Sequence, residues 1–158
     1  MNLNTPSLLL FVHFQPGIVE NAPLASIDAA LALVKLYRGN KLPVILLELS
    51  DYPPTCSWLT GVLYSGAQSV DAYEVLVVKS DSTDGASAII QACRDSGVSL
   101  ERIQACGFLS YACLYDTVAG LSRRLEQTRI EVVKSACDDF IGDDWVLFER
   151  LPGVSLLN

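Results

Sequence analysis

The chain has 158 residues, of which 51% are apolar and 18% charged, and its net charge is −7. This composition excludes a disordered chain and predicts a single domain with a sizeable core, spanning residues 1–158. Because the balance is acidic and no basic cluster occurs, we expect neither nucleic acid nor an anionic membrane surface as a partner.

The five cysteines favour a reduced, cytoplasmic protein, because their number is odd and none forms a C-x-x-C pair. No stretch approaches the length of a membrane span, and the first residues lack the charged flank of a signal peptide. A single histidine and unclustered cysteines predict no metal site, and we expect no cofactor.

Apolar runs alternate with helical patterns along the whole chain. Strands are predicted at 8–12, 43–49, 75–78, 103–106, 130–133 and 154–157. Helices are predicted from Ser26 to about 38, from Ser82 or Asp84 to about 96, from Ser110 to about 125, and from Asp143 or Asp144 to about 151. Residues 51–70 are rich in Pro, Ser and Gly and predict a loop with one short helix. The alternation indicates a three-layer α/β/α fold with a mainly parallel, Rossmann-like sheet of about six strands.

One segment carries the strongest functional signal. It reads as an apolar strand ending at Gly107, a tight connection, and a helix with Cys113 in its first turn. The free N–H groups and the dipole of a helix N-terminus favour a thiolate there. His13 and Lys79 also follow predicted strands, and the carboxyl ends of parallel strands share one edge of the sheet. These three side chains are therefore expected to meet in one cleft, where a base and a cation would activate the thiol.

The chain resembles the isochorismatase-like cysteine hydrolases, which include nicotinamidases. The resemblance follows the order of elements over most of the chain. Its most specific match is the run from Gly107 through Ser110 and Cys113 to Thr117, similar to the family's Gly-x-x-Thr-x-x-Cys-Val-x-x-Thr. Two shorter matches are the strand ending in His13-Phe14-Gln15, where the family has Asp-Met-Gln, and the strand ending in Lys79.

The resemblance implies a catalytic triad of His13, Lys79 and Cys113. It also implies a cis peptide between Phe108 and Leu109, which would turn the Leu109 N–H, together with that of Cys113, toward an oxyanion. The expected reaction is hydrolysis of a small amide, ureide or carbamoyl compound through a thioester on Cys113. Homo-oligomers are common in the family, so self-association is a further expectation.

The sequence departs from the family where it matters most. His13 stands in place of the catalytic aspartate, and residues 51–70 lack the Asp-x-His-Pro type of metal site. Imidazole can accept a thiol proton, but neutral histidine does not offset Lys79. The excess positive charge would lower the pKa of His13 and hold Cys113 as a thiolate.

Two other interpretations stay open. The protein is a catalytically inactive member of the fold that acts in binding or assembly, or a redox-sensing thiol protein with Cys106 near Cys113. Phe14, Trp58 and Tyr111 are candidates for a substrate pocket. Cys93, Cys106 and Cys137 are interpreted as inert core residues, and Asp138 and Asp139 as turn residues.

Overall fold

The computed structural model describes residues 8–65, 75–138 and 145–158. Its six strands are β1 (Leu8–Val12), β2 (Val44–Leu49), β3 (Val75–Ser80), β4 (Arg102–Gly107), β5 (Arg129–Val133) and β6 (Val154–Leu157). Its helices are α1 (Leu24–Gly39), α2 (Ser57–Tyr64), α3 (Ala86–Ser96), α4 (Tyr115–Arg124) and α5 (Trp145–Glu149). A π-helical turn, Ser110–Leu114, leads directly into α4.

The strands form one all-parallel sheet in the order β3-β2-β1-β4-β5-β6. With right-handed crossovers this order places α1 and α2 on one face and α3, α4 and α5 on the other. The observed packing agrees, because α1 contacts α2 while α4 contacts both α3 and α5. The predicted three-layer α/β/α fold is therefore confirmed.

Burial follows the position of each strand in the sheet. Every residue of β1 is buried, and so are all of β4 except its first, whereas the edge strand β3 is half-exposed. A strand covered by helices on both faces must be apolar throughout, which explains the continuous apolar run Leu8–Val12. No helix among the described residues is long and apolar enough to cross a membrane.

The first helix differs from its predicted start. It begins at Leu24, with Pro23 at the cap position, two residues before Ser26. The Ser26 hydroxyl is buried and donates a hydrogen bond to the Cys137 carbonyl at 2.7 Å. Pro23 already has φ −58°, close to the helical value, so the chain enters the helix without a side-chain cap.

The other predicted helix caps are described only in part. α3 begins at Ala86 with Gly85 at the N-cap position, two residues after the predicted cap Asp84. The Asp84 carboxylate still accepts a hydrogen bond from the Ala86 N–H at 2.9 Å, and Gly97 ends the helix with φ 73°. Three residues, the predicted caps Asp143 and Asp144 and the predicted turn residue Asp139, lie outside the described residues. The side chain of the predicted cap Ser110 is not among those described either.

Candidate active site

The candidate site lies at the reversal in strand order between β1 and β4. β2 and β3 lie on one side of β1 in the sheet, and β4, β5 and β6 lie on the other side. Open α/β sheets bind ligands in the crevice at the carboxyl ends of such a pair. His13 directly follows β1, and the turn carrying Cys113 directly follows β4. The fold thus brings two of the three predicted catalytic residues to neighbouring strand ends.

Both strands end in an unusual backbone conformation. His13 has φ 56° and Leu109 has φ 55°, in the left-handed region that non-glycine residues avoid. Between them, a Cβ on Gly107 would lie 2.6 Å from the Val12 carbonyl oxygen, so only glycine fits this close approach of β4 to β1. Strained residues of this kind cluster at functional sites.

His13 is fully buried, and neither ring nitrogen has a hydrogen-bond partner among the described residues. Burial lowers its pKa from 6.5 to about 4, because an imidazolium without a partner would be poorly solvated. The side chain is therefore neutral near pH 7 and free to accept a proton. The predicted direction of the shift is confirmed, but burial causes it and not a neighbouring cation.

Cys113 is 3% exposed and rests as a thiol. Burial raises the pKa of its sulfur, and the nearby Asp116 carboxylate raises it further. A hydrogen bond from its own backbone N–H acts in the opposite direction but does not prevail. The expected resting thiolate is therefore wrong, because burial and the Asp116 charge outweigh the effect of the helix N-terminus.

Lys79 lies two strands away from His13, on β3, at a distance on the order of 10 Å by strand spacing. Its ammonium forms an ion pair with Glu48 on β2, with Nζ and Oε2 2.5 Å apart. No hydrogen bond or ion pair joins Lys79 to Cys113 or His13 among the described residues. The charge of Lys79 is thus offset by a carboxylate that the sequence interpretation overlooked.

Glu48 is buried and fully hydrogen-bonded. Its Oε1 accepts from the backbone N–H and the hydroxyl of Thr55, both at 2.7 Å. Burial alone would raise the pKa of Glu48, but the hydrogen bonds from Lys79 and Thr55 outweigh it and hold the pKa below its ordinary value. The signal in the sequence was a lone acid at the end of an otherwise apolar strand, Val-Ile-Leu-Leu-Glu-Leu.

The Leu109 N–H does not face an open oxyanion position. It donates to Oδ2 of Asp138 at 3.0 Å, and the peptide between Phe108 and Leu109 is trans. The cis peptide implied by the resemblance is therefore wrong. The left-handed conformation of Leu109 reverses the chain by itself and turns its N–H toward the segment that follows β5. Asp138 is thus more than the predicted turn residue.

The three candidate pocket residues are placed differently. Phe14 is 1% exposed and packs edge-to-face against Phe11 and Phe108, with ring centroids 4.8 and 4.6 Å apart. Trp58 is half-buried, with its ring 6.1 Å from that of Phe14, and Tyr111 is exposed on the π-helical turn. Phe14 therefore belongs to an aromatic core beneath the site, while Trp58 and Tyr111 stay candidates for its rim.

Gln15 fixes the loop between β2 and α2. Its amide donates to the carbonyls of Leu49 and Pro53 at 3.1 and 2.8 Å, and its Oε1 accepts from the Leu49 N–H at 2.7 Å.

No group of three or more His, Cys, Asp or Glu residues in the described ranges is arranged to hold a metal ion.

Thr117, the last residue of the cysteine motif, ties α4 to the turn before α3. Its hydroxyl donates to the Thr83 carbonyl at 3.0 Å and accepts from the Gly85 N–H at 3.1 Å.

All five cysteines are buried and free, as predicted for Cys93, Cys106 and Cys137.

The same fold occurs in solved structures of enzymes. The chain superposes on the nicotinamidase from Staphylococcus aureus with a TM-score of 0.76 over 97% of this chain and 99% of that one, at 14% identity. This chain has the isochorismatase-like fold. The N-carbamoylsarcosine amidase from Thermoplasma acidophilum is also similar, with a TM-score of 0.70, 18% identity, and coverage of 96% of this chain and 95% of that one.

The isochorismatase-like fold does not fix the reaction. The MAR1 ribonuclease from Caenorhabditis elegans also shares it, with a TM-score of 0.71 and 18% identity over 90% of this chain and 70% of that one. The chain matches no protein-family model and no curated protein sequence. The residues of the site, and not the fold, therefore determine the reaction.

Proposed function

We propose that the protein hydrolyses the C–N bond of a small amide, ureide or carbamoyl compound through a thioester on Cys113. The observation that carries the proposal is His13, a neutral and buried imidazole with two unpartnered nitrogens, at the strand end next to the turn that bears Cys113. Unpartnered buried polar groups are rare, and functional sites account for many of them.

His13 acts as the base in each half of the reaction. As the Cys113 sulfur attacks the carbonyl carbon, His13 takes the thiol proton. The C–N bond then breaks, and His13 gives that proton to the leaving nitrogen. Water attacks the resulting thioester and loses a proton to His13, the C–S bond breaks, and the proton returns to sulfur. One amide and one water thus become an acid and an amine.

A thiol–imidazole pair need not be in contact before substrate binds, because catalytic hydrogen bonds often shorten only in the complex. The oxyanion would take the Leu109 N–H only after Asp138 releases it, so the resting contact holds the site closed to an acyl oxygen. Removal of the Asp138 carboxylate, as in Asp138→Ala, is therefore expected to raise kcat/KM.

The test is ammonia or amine release from a panel of small amides, ureides and carbamoyl compounds. We expect no hydrolysis by Cys113→Ala and a loss of at least about 100-fold in kcat/KM for His13→Asn, which keeps the left-handed backbone but supplies no base. Cys93→Ala, which removes a buried thiol on α3, is the matched control and should keep wild-type activity. Full activity in Cys113→Ala would refute the proposal.

The pH profile gives a second test. With a His13 pKa of about 4, kcat/KM should stay constant as the pH falls from 7 to about 5, whereas an ordinary histidine would already lose activity near pH 6.5. A profile with a midpoint near 6.5 would show that His13 is not the base described here.

A non-catalytic binding or assembly protein is the second candidate function. Its support is that the Leu109 N–H, the Lys79 ammonium and the Cys113 thiol are all in resting states that do not promote attack. Alkylation of Cys113 by iodoacetamide separates the two. No hydrolysis of any panel member, with a Cys113 rate that His13→Asn does not change, would favour this second function.

A further inference from the structure

Glu48 has no role in the reaction described above, yet it is a buried and fully hydrogen-bonded charge at the carboxyl edge of the sheet. It is 2% exposed, and its two oxygens accept three hydrogen bonds, two from Thr55 and one from Lys79. A carboxylate this deeply buried is stable only with such partners, so Thr55 and Lys79 together fix the position of the Glu48 carboxylate.

Strand register places Glu48 between His13 and Lys79 at this edge of the sheet. It pairs directly with Lys79 across β2 and β3, while Val12 pairs with Leu47 across β1 and β2. The backbone N–H of His13 then donates to the Leu47 carbonyl at 2.9 Å. His13, Glu48 and Lys79 therefore follow one another across three adjacent strands.

The contact with Glu48 leaves Lys79 with donors to spare. An ammonium has three N–H donors, and Lys79 has no other acceptor than Glu48 among the described residues. Its side chain is 52% exposed, so the remaining donors are accessible to a ligand. The Glu48 charge removes most of the long-range field of Lys79 but not its hydrogen-bonding capacity.

We propose that Glu48 is a positioning residue that holds Lys79 as an oriented hydrogen-bond donor for a carbonyl or carboxylate oxygen of the substrate. This inference rests on the proposed hydrolase function for its kinetic consequence. It gives Lys79 a role in binding, distinct from the stabilisation of a thiolate that the sequence suggests. The neutral resting thiol of Cys113 agrees with this, since a lysine acting on the sulfur would oppose it.

The hold of Glu48 on Lys79 is tested without any activity measurement. Nitrogen-15 NMR spectra of lysine ammonium groups should show Lys79 with protons protected from exchange in the wild type. Glu48→Gln keeps an oxygen for Thr55 but loses the charge, so this protection should disappear. Glu131→Gln removes an equally buried, ion-paired carboxylate from β5 and should leave Lys79 unchanged. An unchanged Lys79 signal in Glu48→Gln would overturn the proposal.

Kinetics test the role in binding. Lys79→Met should raise KM about tenfold or more with kcat changed by less than about threefold, because a ground-state contact is lost. Glu48→Gln should raise KM in the same direction, and the double variant should be no worse than Lys79→Met, because one residue acts through the other. A fall in kcat at constant KM, or additive losses, would overturn the proposal.

Failure of the proposed function is recognised separately. If the wild type hydrolyses no compound of the panel, acetamide is titrated into Cys113→Ala, and the Lys79 ammonium signal is followed. A shift that Glu48→Gln abolishes supports the binding role even without hydrolysis. A Lys79 signal that acetamide leaves unmoved, while other signals of the site shift, refutes it.

Discussion

Two polar regions are buried in this sheet, and they differ in how well their groups are paired. In the middle of β4 and β5, Glu131 accepts from Arg102 at 2.8 and 3.1 Å, from Gln104 at 2.9 Å and from Arg129 at 2.9 Å. Gln104 in turn accepts from the Tyr37 hydroxyl at 2.8 Å. At the carboxyl edge, by contrast, His13 is equally buried but has no partner among the described residues.

The paired groups around Glu131 stabilise the fold, whereas the unpaired His13 is available for chemistry. Fully paired buried networks fix one arrangement of helix and sheet, here α1 over β4 and β5. A buried group left unpaired costs free energy and is kept where chemistry needs it. The edge region combines both cases, because Glu48 is satisfied while His13, one strand away, is not.

Removal of Glu131 is expected to have the largest effect on stability. Glu131→Ala would leave the Arg102 side chain, only 11% exposed, without its counter-charge, at a cost of about 3–5 kcal/mol in the free energy of unfolding. Glu48→Ala should cost less, about 1–3 kcal/mol, since Lys79 can turn to water and the main loss is the buried Thr55 N–H. Urea unfolding of both variants at pH 7 measures the two costs. Equal costs would contradict the comparison.

The second-largest expected effect is a loss of wild-type stability in acid, caused by His13. Its pKa is about 4 in the folded protein and 6.5 as its ordinary value, so as the pH falls below 6.5 the unfolded chain takes up the proton first. Roughly 3 kcal/mol of stability should therefore be lost between pH 6.5 and 4, and none above that range. His13→Asn should lack this component while keeping the losses due to carboxylates.

The measurement is the wild-type minus His13→Asn difference in unfolding free energy, followed from pH 7.5 to 4. A difference that is constant across this range would mean that His13 is protonated or paired in the folded protein.

The close approach of β1 and β4 provides a smaller effect. Gly107→Ala would place a Cβ 2.6 Å from the Val12 carbonyl oxygen and 2.7 Å from the Val12 Cβ, so the two strands must separate. We expect a loss of about 1–3 kcal/mol, as for other overpacked cores, together with a loss of any hydrolysis. Thermal unfolding and the amide assay report the two effects, and an unchanged Gly107→Ala protein would show that the strand ends tolerate a wider crevice.

The smallest expected effect has the opposite sign. Gly61 lies within α2, and a Cβ there would meet no atom within 4 Å. Gly61→Ala should therefore raise the free energy of unfolding by about 0.5–1 kcal/mol, because it lowers the entropy of the unfolded chain without new contacts. This variant is also the matched control for Gly107→Ala, and a loss of stability would show that α2 has less room than the structure indicates.

The sequence alone was enough for the architecture. Continuous apolar strands alternating with helical segments require a parallel sheet covered on both faces, and all six predicted strands occur within two residues of their predicted ends. The spacing from Gly107 to Cys113 likewise predicted a strand, a tight turn and a helix. These features depend on local composition and periodicity, which a single chain displays directly.

Only the tertiary structure decided the state of each site residue. The partners of Lys79 and of the Leu109 N–H come from Glu48 and Asp138, which are 31 and 29 residues away in the chain, and no local pattern links such positions. The charge states of His13 and Cys113 depend on how deeply the packed sheet buries them. Periodicity determines which face of an element is buried, whereas pairing and protonation depend on neighbours that only the folded chain brings together.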